Sequence, residues 1–258
     1  MNRVATIALH TFKESVRDRV LYNLVVFALL MTTAAILFGR ISVGIEKIIL
    51  INLGLSSVSF FGLVMAIFIG IGLVSKEIER RTIYNILSKP VARYEFLIGK
   101  YLGLLLTLFV NTAVMTAGFY AALFIQQGRL GWADLVPLQA IYFILLQLSL
   151  VVGVALLFSC ISTPILSAVF TFALYVIGNL LADVKWFGQE SQSVFLEKLT
   201  EALYYLLPNF GSFNVIARTA HGESVPHYLM VANTCYALLY VTTLISAAIL
   251  VFEEREFR

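Results

Sequence analysis

The chain has 258 residues, of which 60% are hydrophobic and only 13% are charged, and its net charge is +3 at pH 7. Soluble globular domains carry about 25% charged residues, so this chain has too few charges to cover a surface that faces water. The composition therefore excludes a soluble globular protein and indicates an integral membrane protein, and the small net charge does not suggest nucleic-acid binding.

Residues 1–19 carry an amphipathic pattern before the first long apolar run. The charged residues lie mostly off one helical face. The apolar residues fall on that face: Val4, Ile7, Ala8, Phe12 and Val16. The pattern predicts a helix that lies in the membrane interface, and a simple charged anchor is the alternative. The following run, Val20 to Phe38, is longer than the roughly 7–15 apolar residues of a signal peptide, so we expect no cleavable signal.

Long runs without charge mark the predicted spans, since a spanning helix needs about 20 apolar residues. Five such runs have lengths of 20, 28, 28, 48 and 29 residues. The run of 48 can hold two spans, and Thr163-Pro164 supplies the break because proline ends or kinks a helix. The sequence therefore predicts an all-α polytopic membrane protein with six transmembrane helices, at 20–39, 51–75, 97–126, 136–161, 164–182 and 228–252.

Two further patterns lie in the segment 183–227, between the fifth and sixth predicted spans. Residues 202–217 are uncharged but short, and a proline, an asparagine and a glycine interrupt them. They therefore fit a re-entrant or interfacial segment better than a seventh span. Residues 194–207 can form an amphipathic helix that acts as a gate or as a structural cap. Its charged residues would face water: Glu197, Lys198 and Glu201.

Lysine and arginine set the expected orientation. Twelve of them lie in the N-terminal segment, in 76–96 together with Lys100, and in the C-terminal tail. The other six lie in the segments that six spans would place on the other side of the membrane. We therefore expect both termini and the segment 76–96 in the cytoplasm, and the segment 183–227 outside. The whole chain, 1–258, is interpreted as one transmembrane domain.

The densest charge in the chain lies in residues 75–103, between the second and third predicted spans. Acids, bases and apolar residues alternate there, and Pro90 breaks the helical pattern after Lys89. A loop that only fixed topology would need basic residues alone, and this simpler role stays open. The additional acids, apolar residues and proline are what a docking surface for a soluble partner would need. Gly99 and Gly103, four residues apart, are typical of close helix packing.

This segment resembles the cytoplasmic signature of permease subunits of type-2 ABC transporters. Within that family it is most similar to the branch that includes the nitrous-oxide-reductase maturation permease. The positions that match the signature are Glu77, Glu79, Thr82, Leu87, Pro90, Arg93, Gly99 and Lys100. Many relatives have glycine before the threonine, where this chain has Arg81. This departure weakens the similarity to a particular branch but not the similarity to the family.

The resemblance implies the permease subunit of an ATP-driven exporter in a prokaryotic plasma membrane. It implies a second copy of the permease, in a homodimer, and a separate ABC ATPase that carries ATP and Mg²⁺. It also implies that residues 84–93 form a coupling helix that docks into the ATPase. The residues implied in ATPase coupling are Glu77, Glu79, Arg80, Arg81, Thr82, Tyr84, Leu87, Pro90, Arg93, Glu95 and Lys100.

The sequence carries no motif for chemistry on this chain itself. The stretch from Gly39 to Gly44 lacks the lysine of a phosphate-binding loop, and neither H-E-x-x-H nor G-x-S-x-G occurs. No charge lies at the centre of a predicted span, as ion or proton transport would require. We therefore expect no catalytic residue, metal or cofactor on this chain. A non-transport scaffold that recruits a soluble partner through residues 75–103 is the alternative function.

Few polar residues fall within the predicted spans. Each could line a path or form hydrogen bonds between helices, which is the commoner role. These residues are Asn52, Asn111, Gln147, Asn179 and Asn233. The two cysteines, Cys160 and Cys235, lie in apolar runs, so we expect buried thiols rather than a disulfide or a metal site.

Overall fold

The computed structural model describes residues 3–41, 44–79, 92–129, 131–191 and 193–254. These residues form helices and connecting turns, with no strand among them. The helices are α1 (Arg3–Val16), α2 (Arg19–Ile41), α3 (Glu46–Glu79), α4 (Arg93–Gln127), α5 (Pro137–Ile161), α6 (Pro164–Glu190), α7 (Val194–Leu206), α8 (Ile216–Ala220) and α9 (His227–Glu254). Two 3₁₀ turns lie at Trp132–Leu135 and Phe210–Phe213. Six helices, α2 to α6 and α9, are long and apolar enough to cross a bilayer, which confirms the predicted fold class.

Each predicted span corresponds to one of these helices, but several helices are longer than predicted, α3 and α6 by the most. α3 begins at Glu46 instead of residue 51, and α6 continues to Glu190 instead of ending at residue 182. Both extensions contain charged residues, and a count of uncharged residues stops at the first of them. A helix does not stop there, because its backbone hydrogen bonds form equally well beyond the hydrocarbon layer.

The break between α5 and α6 forms at the predicted Thr163-Pro164 pair. Pro164 is the first residue of α6, where the missing N–H has no intrahelical partner to lose. The Ser167 hydroxyl donates to the Phe158 carbonyl oxygen at 2.9 Å, and the Ser162 hydroxyl donates to the same oxygen at 3.1 Å. These hydroxyl groups add donors to a carbonyl at the end of α5 that also accepts the Ser162 N–H at 2.9 Å.

Helices α3 and α5 form the centre of the bundle, and two thirds of their apolar spans are buried. Two glycines of α3 allow α5 to approach closely: a Cβ at Gly62 would lie 2.8 Å from Leu148, and one at Gly70 would lie 2.6 Å from Ala155. Helices α2, α6 and α9 are peripheral, with a third or less of their spans buried. Their large apolar side chains are therefore available to lipid or to a second protein.

The bundle has two ends, which we name by α4: the near end, where α4 begins, and the far end, where it finishes. At the far end Lys47 and Asp134 form an ion pair, with Nζ 2.6 Å from Oδ1. Asp134 is buried, and its Oδ2 accepts a 2.7 Å hydrogen bond from the Gly131 N–H. The Tyr120 hydroxyl donates to the Asp134 carbonyl at 2.9 Å. These contacts hold α3, α4 and the turn before α5 together.

The region between α6 and α9 contains the predicted amphipathic helix, which is α7, and its three charged residues are exposed as expected. Residues 202–217 contain the end of α7, the 3₁₀ turn and the start of α8, so they are not one continuous helix. Phe210 and Phe213 of the turn are buried. One sequence expectation is wrong: Cys160 is buried, but Cys235 is exposed. Cys235 lies on a face of α9 that points away from the core, whereas Ala237 and Val241 of the same helix are buried.

Candidate functional site

The first turns of α4 pack against α1 through two glycines. A Cβ at Gly103 would lie 2.6 Å from the Ala8 carbonyl oxygen and 2.6 Å from Thr11 Cβ. A Cβ at Gly99 would lie 2.8 Å from Ile7. These five residues define the α1–α4 seam. The close packing predicted for the two glycines is confirmed, and its partner is α1.

Helix α1 has three faces rather than two. The face toward α4 is buried or half-buried: Val4, Ile7, Ala8, Thr11 and Ser15. A neighbouring apolar face exposes Ala5 and Leu9 and leaves Phe12 and Val16 half-buried. The third face carries exposed charges. The single apolar face expected from the sequence is therefore divided, with one part on α4 and the other open. This is the pattern of a helix that borders protein, hydrocarbon and water.

Two ion pairs join α1 to the start of α4. Lys100 is only 2% exposed, and its Nζ lies 4.0 Å from Glu14 Oε2 and 5.5 Å from the centroid of the Phe96 ring. One turn earlier, Glu95 Oε2 lies 3.8 Å from Arg3 Nη1. A buried lysine needs such partners, because an unpaired buried ammonium group is strongly unfavourable.

The start of α4 also contacts the end of α9. Arg93 Nη1 donates a 3.1 Å hydrogen bond to the Phe252 carbonyl oxygen. Carbonyl groups in the last turn of a helix lack intrahelical partners and carry the negative end of the helix dipole, so a guanidinium group stabilises them. The Phe96 and Phe252 rings stack at 6.2 Å. Glu95 caps α4 itself, since its carboxylate accepts a 3.1 Å hydrogen bond from the Ala92 N–H.

Replacing Glu14 by glutamine is expected to lower the free energy of unfolding by about 1 kcal/mol. The effect stays small because Glu14 is about half exposed and water screens its charge. Thermal unfolding in a neutral detergent would measure it. A double-mutant cycle with Lys100→Met separates the pair from other contacts of either residue. A coupling energy of zero would show that the two charges do not interact.

A family model of "ABC-2 family transporter protein" matches residues 5–257 of this chain. The chain belongs to the ABC-2 transporter family. A comparison with curated proteins found no match. Membership makes the chain a membrane-spanning subunit of the ABC transporter class, whose permeases typically pair with an ATPase subunit. The resemblance to ABC permeases is thus confirmed at the level of the family.

The structure of this ABC-2 permease brings together three residues of the predicted coupling site: Arg93, Glu95 and Lys100. Glu77 and Glu79 belong to the last turns of α3. Most of the predicted coupling helix lies outside the described residues. So do the other predicted coupling residues: Arg80, Arg81, Thr82, Tyr84, Leu87 and Pro90. The described part of the site therefore consists of the helix ends on either side of this segment.

Sequence reasoning missed the partners of these residues: Arg3, Glu14 and Phe252. They lie about 80 to 160 residues away along the chain, so no local pattern connects them to α4. One signal was present in the pair Gly99 and Gly103, which predicted a close partner without naming it. The small residues Ala8 and Thr11 in the amphipathic N-terminal segment could have identified that partner as α1.

The polar residues of the ABC-2 permease spans do not all share one location. Gln147 and Asn179 line a cavity of about 40 Å³, together with Tyr175. Gln147 Nε2 lies 3.5 Å from both the Tyr175 hydroxyl and the Phe210 carbonyl oxygen, so Gln147 joins α5 to neighbouring elements. Asn233 lines a different cavity. The remaining two, on α3 and α4, are half-buried: Asn52 and Asn111.

Proposed function

We propose that this ABC-2 permease couples to a separate ATPase through the segment between α3 and α4. It would work as one half of a homodimer that exports its substrate across a prokaryotic plasma membrane. The proposal depends chiefly on one observation: Arg93, Glu95 and Lys100 attach the start of α4 to both α1 and α9. A force applied where the chain enters α4 would therefore act on three helices together.

The lengths of the helices support this coupling. α3 has 34 residues and α4 has 35, so each is roughly 50 Å long at 1.5 Å per residue. A rigid helix of that length carries a displacement at the near end to the far end of the bundle. The ion pairs at the near end would fix the orientation of the docked segment more than its affinity.

Surface properties of the chain support the remaining parts of the proposal. The excess of lysine and arginine favours a cytoplasmic near end, with both termini on that side. Exposed apolar side chains on peripheral helices give a second copy a surface to cover, for example Phe27 of α2 and Phe172 of α6. Similarity to the nitrous-oxide-reductase maturation branch rests on the motif in residues 77–100. ATP and Mg²⁺ would bind to the partner ATPase.

Affinity purification of the tagged protein in a mild detergent, followed by mass spectrometric identification of bound proteins, tests the proposal. We expect an ABC ATPase subunit to co-purify, and to be lost when residues 84–93 are replaced by alanine. The matched control should leave the ATPase bound. It replaces by alanine the three exposed charged residues of α7: Glu197, Lys198 and Glu201. Recovery of the protein alone, or with an unrelated soluble partner, would favour the scaffold function instead.

A further inference from the structure

A cavity of about 630 Å³ lies at the far end of the bundle. We call it the far-end cavity. It is bounded by α5, α7, the 3₁₀ turn and the first turns of α9. Its lining is mostly apolar and aromatic, with three polar side chains among them: Phe143, Tyr204, Tyr205, Asn209, Ser212, Val215, Val225, Leu229, Ala232, Asn233 and Tyr236. This volume lies within the roughly 300–1,000 Å³ typical of small-molecule sites.

The polar groups of the lining hold the cavity in shape. The Tyr236 hydroxyl accepts a 2.9 Å hydrogen bond from the Asn209 N–H, which attaches α9 to the turn after α7. The Asn209 Oδ1 accepts a 3.3 Å bond from the Ser212 N–H, and the Ser212 hydroxyl donates to the Asn209 carbonyl at 2.8 Å. Asn233 Nδ2 donates to the Leu229 carbonyl of its own helix. The cavity is therefore bounded by folded elements on all of these sides.

A cation lies against the cavity wall. Lys185 Nζ is 4.4 Å from the centroid of the Tyr204 ring and 4.9 Å from that of the Tyr205 ring, and both tyrosines line the cavity. Among the described residues, no carboxylate lies within ion-pair distance of this ammonium group. The aromatic rings stabilise the positive charge, but they leave it without an anion.

Two exposed aromatic side chains, one next to Lys185 in the sequence and one at the start of α9, have the character of a membrane interface. Trp186 is 66% exposed and Tyr228, in the first turn of α9, is 71% exposed. Tryptophan and tyrosine concentrate where hydrocarbon meets the headgroups, and lysine extends its charge toward the same region. Lys185 would therefore lie at the depth of lipid headgroups, and the apolar lining would extend from there toward the hydrocarbon.

We propose that the far-end cavity binds an amphiphile with an anionic headgroup, whose charged end pairs with Lys185 and whose apolar chain fills the space between α5, α7 and α9. The apolar contacts would come from Phe143, Val225 and Leu229. A phosphate or carboxylate at the wall formed by Tyr204 and Tyr205 would supply the anion that Lys185 lacks. The site depends on insertion in a membrane but not on ATPase coupling, so it goes beyond the proposed function and can be tested separately.

Native mass spectrometry of the purified full-length protein in a neutral detergent tests this site. Phosphatidylglycerol and phosphatidylcholine with identical acyl chains are titrated, because they differ in headgroup charge and not in chains. We expect phosphatidylglycerol to bind about fivefold more tightly, the factor that one basic residue near an anionic headgroup gives. Equal binding of the two lipids would overturn the proposal.

Two substitutions and two matched controls locate the binding. Lys185→Gln should remove the preference for phosphatidylglycerol, whereas Lys198→Gln, on the exposed face of α7, should keep it. Ala232→Trp should weaken the binding of both lipids because the indole fills the cavity. Val231→Trp should not, because Val231 lies beside Ala232 on α9 but outside the lining. Equal effects of a substitution and its control would place binding elsewhere and overturn the proposal. Size-exclusion chromatography verifies that each variant stays folded.

The same anion could belong to a resident membrane lipid or to a smaller amphiphile, and a further titration distinguishes these sources. Dodecyl phosphate has one chain and an anionic phosphate headgroup, a monoester in place of the diester of phosphatidylglycerol. Displacement of phosphatidylglycerol by dodecyl phosphate at comparable concentration would support a small amphiphile as the natural ligand. Retention of the two-chain lipid would support a resident lipid. Binding of neither compound at the cavity would contradict the site itself.

Discussion

Replacing Arg93 by glutamate is expected to remove the effect of this permease on ATP hydrolysis by the ATPase proposed as its partner, a change of about tenfold. The guanidinium group now binds a carbonyl at the end of α9. A carboxylate there would face the negative end of the α9 helix dipole and would separate α4 from α9. The measurement compares ATP turnover of the purified complex with that of the isolated ATPase, for the wild type and the variant.

The spans should stay folded in this variant, since loss of a hydrogen bond from a charged group costs about 1.5–3 kcal/mol, which is less than the roughly 5–15 kcal/mol by which folded proteins are stable. Thermal unfolding of the permease checks this point. Arg129→Glu is the matched control, because Arg129 is exposed at the far end and the same charge reversal there should leave coupled hydrolysis unchanged. If Arg93→Glu preserved coupled hydrolysis, the start of α4 would lose its assignment as the coupling site.

Replacing Gly103 by leucine is expected to separate α1 from α4 and to lower the free energy of unfolding by about 2 kcal/mol. Even the first added carbon would lie 2.6 Å from the Ala8 carbonyl oxygen. That oxygen belongs to the backbone, so it cannot rotate away as a side chain could, and α1 itself must move. Unfolding in mixed micelles with increasing dodecyl sulfate, followed by circular dichroism, measures the loss.

A labelling experiment tests where the loss occurs. Thr11 is fully buried in the α1–α4 seam, so a cysteine at this position, in a background without Cys235, should react slowly with a maleimide. Gly103→Leu should accelerate the reaction by roughly thirtyfold, the factor that corresponds to 2 kcal/mol. Ala117→Leu, exposed on the same helix, is the control and should change neither measurement. Slow labelling in the Gly103 variant would show that the seam remains closed.

The sequence predicted the number and approximate bounds of the membrane helices, because a hydrocarbon layer imposes a minimum length of apolar chain. The sequence did not predict where the helices end beyond the hydrocarbon layer, because that length requirement no longer applies there. Nothing in the charge pattern showed that Asp183 and Lys185 continue α6 rather than begin a loop. The exposure of Cys235 was wrong for a related reason: an apolar run has the same composition whether it faces protein or lipid.

The candidate site was predictable only in part. The cluster that contains Arg93, Glu95 and Lys100 was apparent from its charges and its proline, because both features are rare in this chain. The contacts of these residues were not, since Glu14 and Phe252 come close only after the helices pack. The far-end cavity has a related limitation: ten of its eleven lining residues lie within 204–236, but no pattern in that stretch shows that they enclose a space together with Phe143 of α5.

The α1–α4 seam also has a consequence for the order of events during synthesis. Helix α1 leaves the ribosome before α4, but the glycines that receive it belong to α4, and 76 residues lie between Val16 and Arg93. At about 5–20 residues per second, α1 would wait roughly 4 to 15 s for its partner. During that interval the hydroxyl groups of Thr11 and Ser15 would face water or headgroups. Docking of α1 is therefore a late step of biogenesis, which follows insertion of α2 and α3.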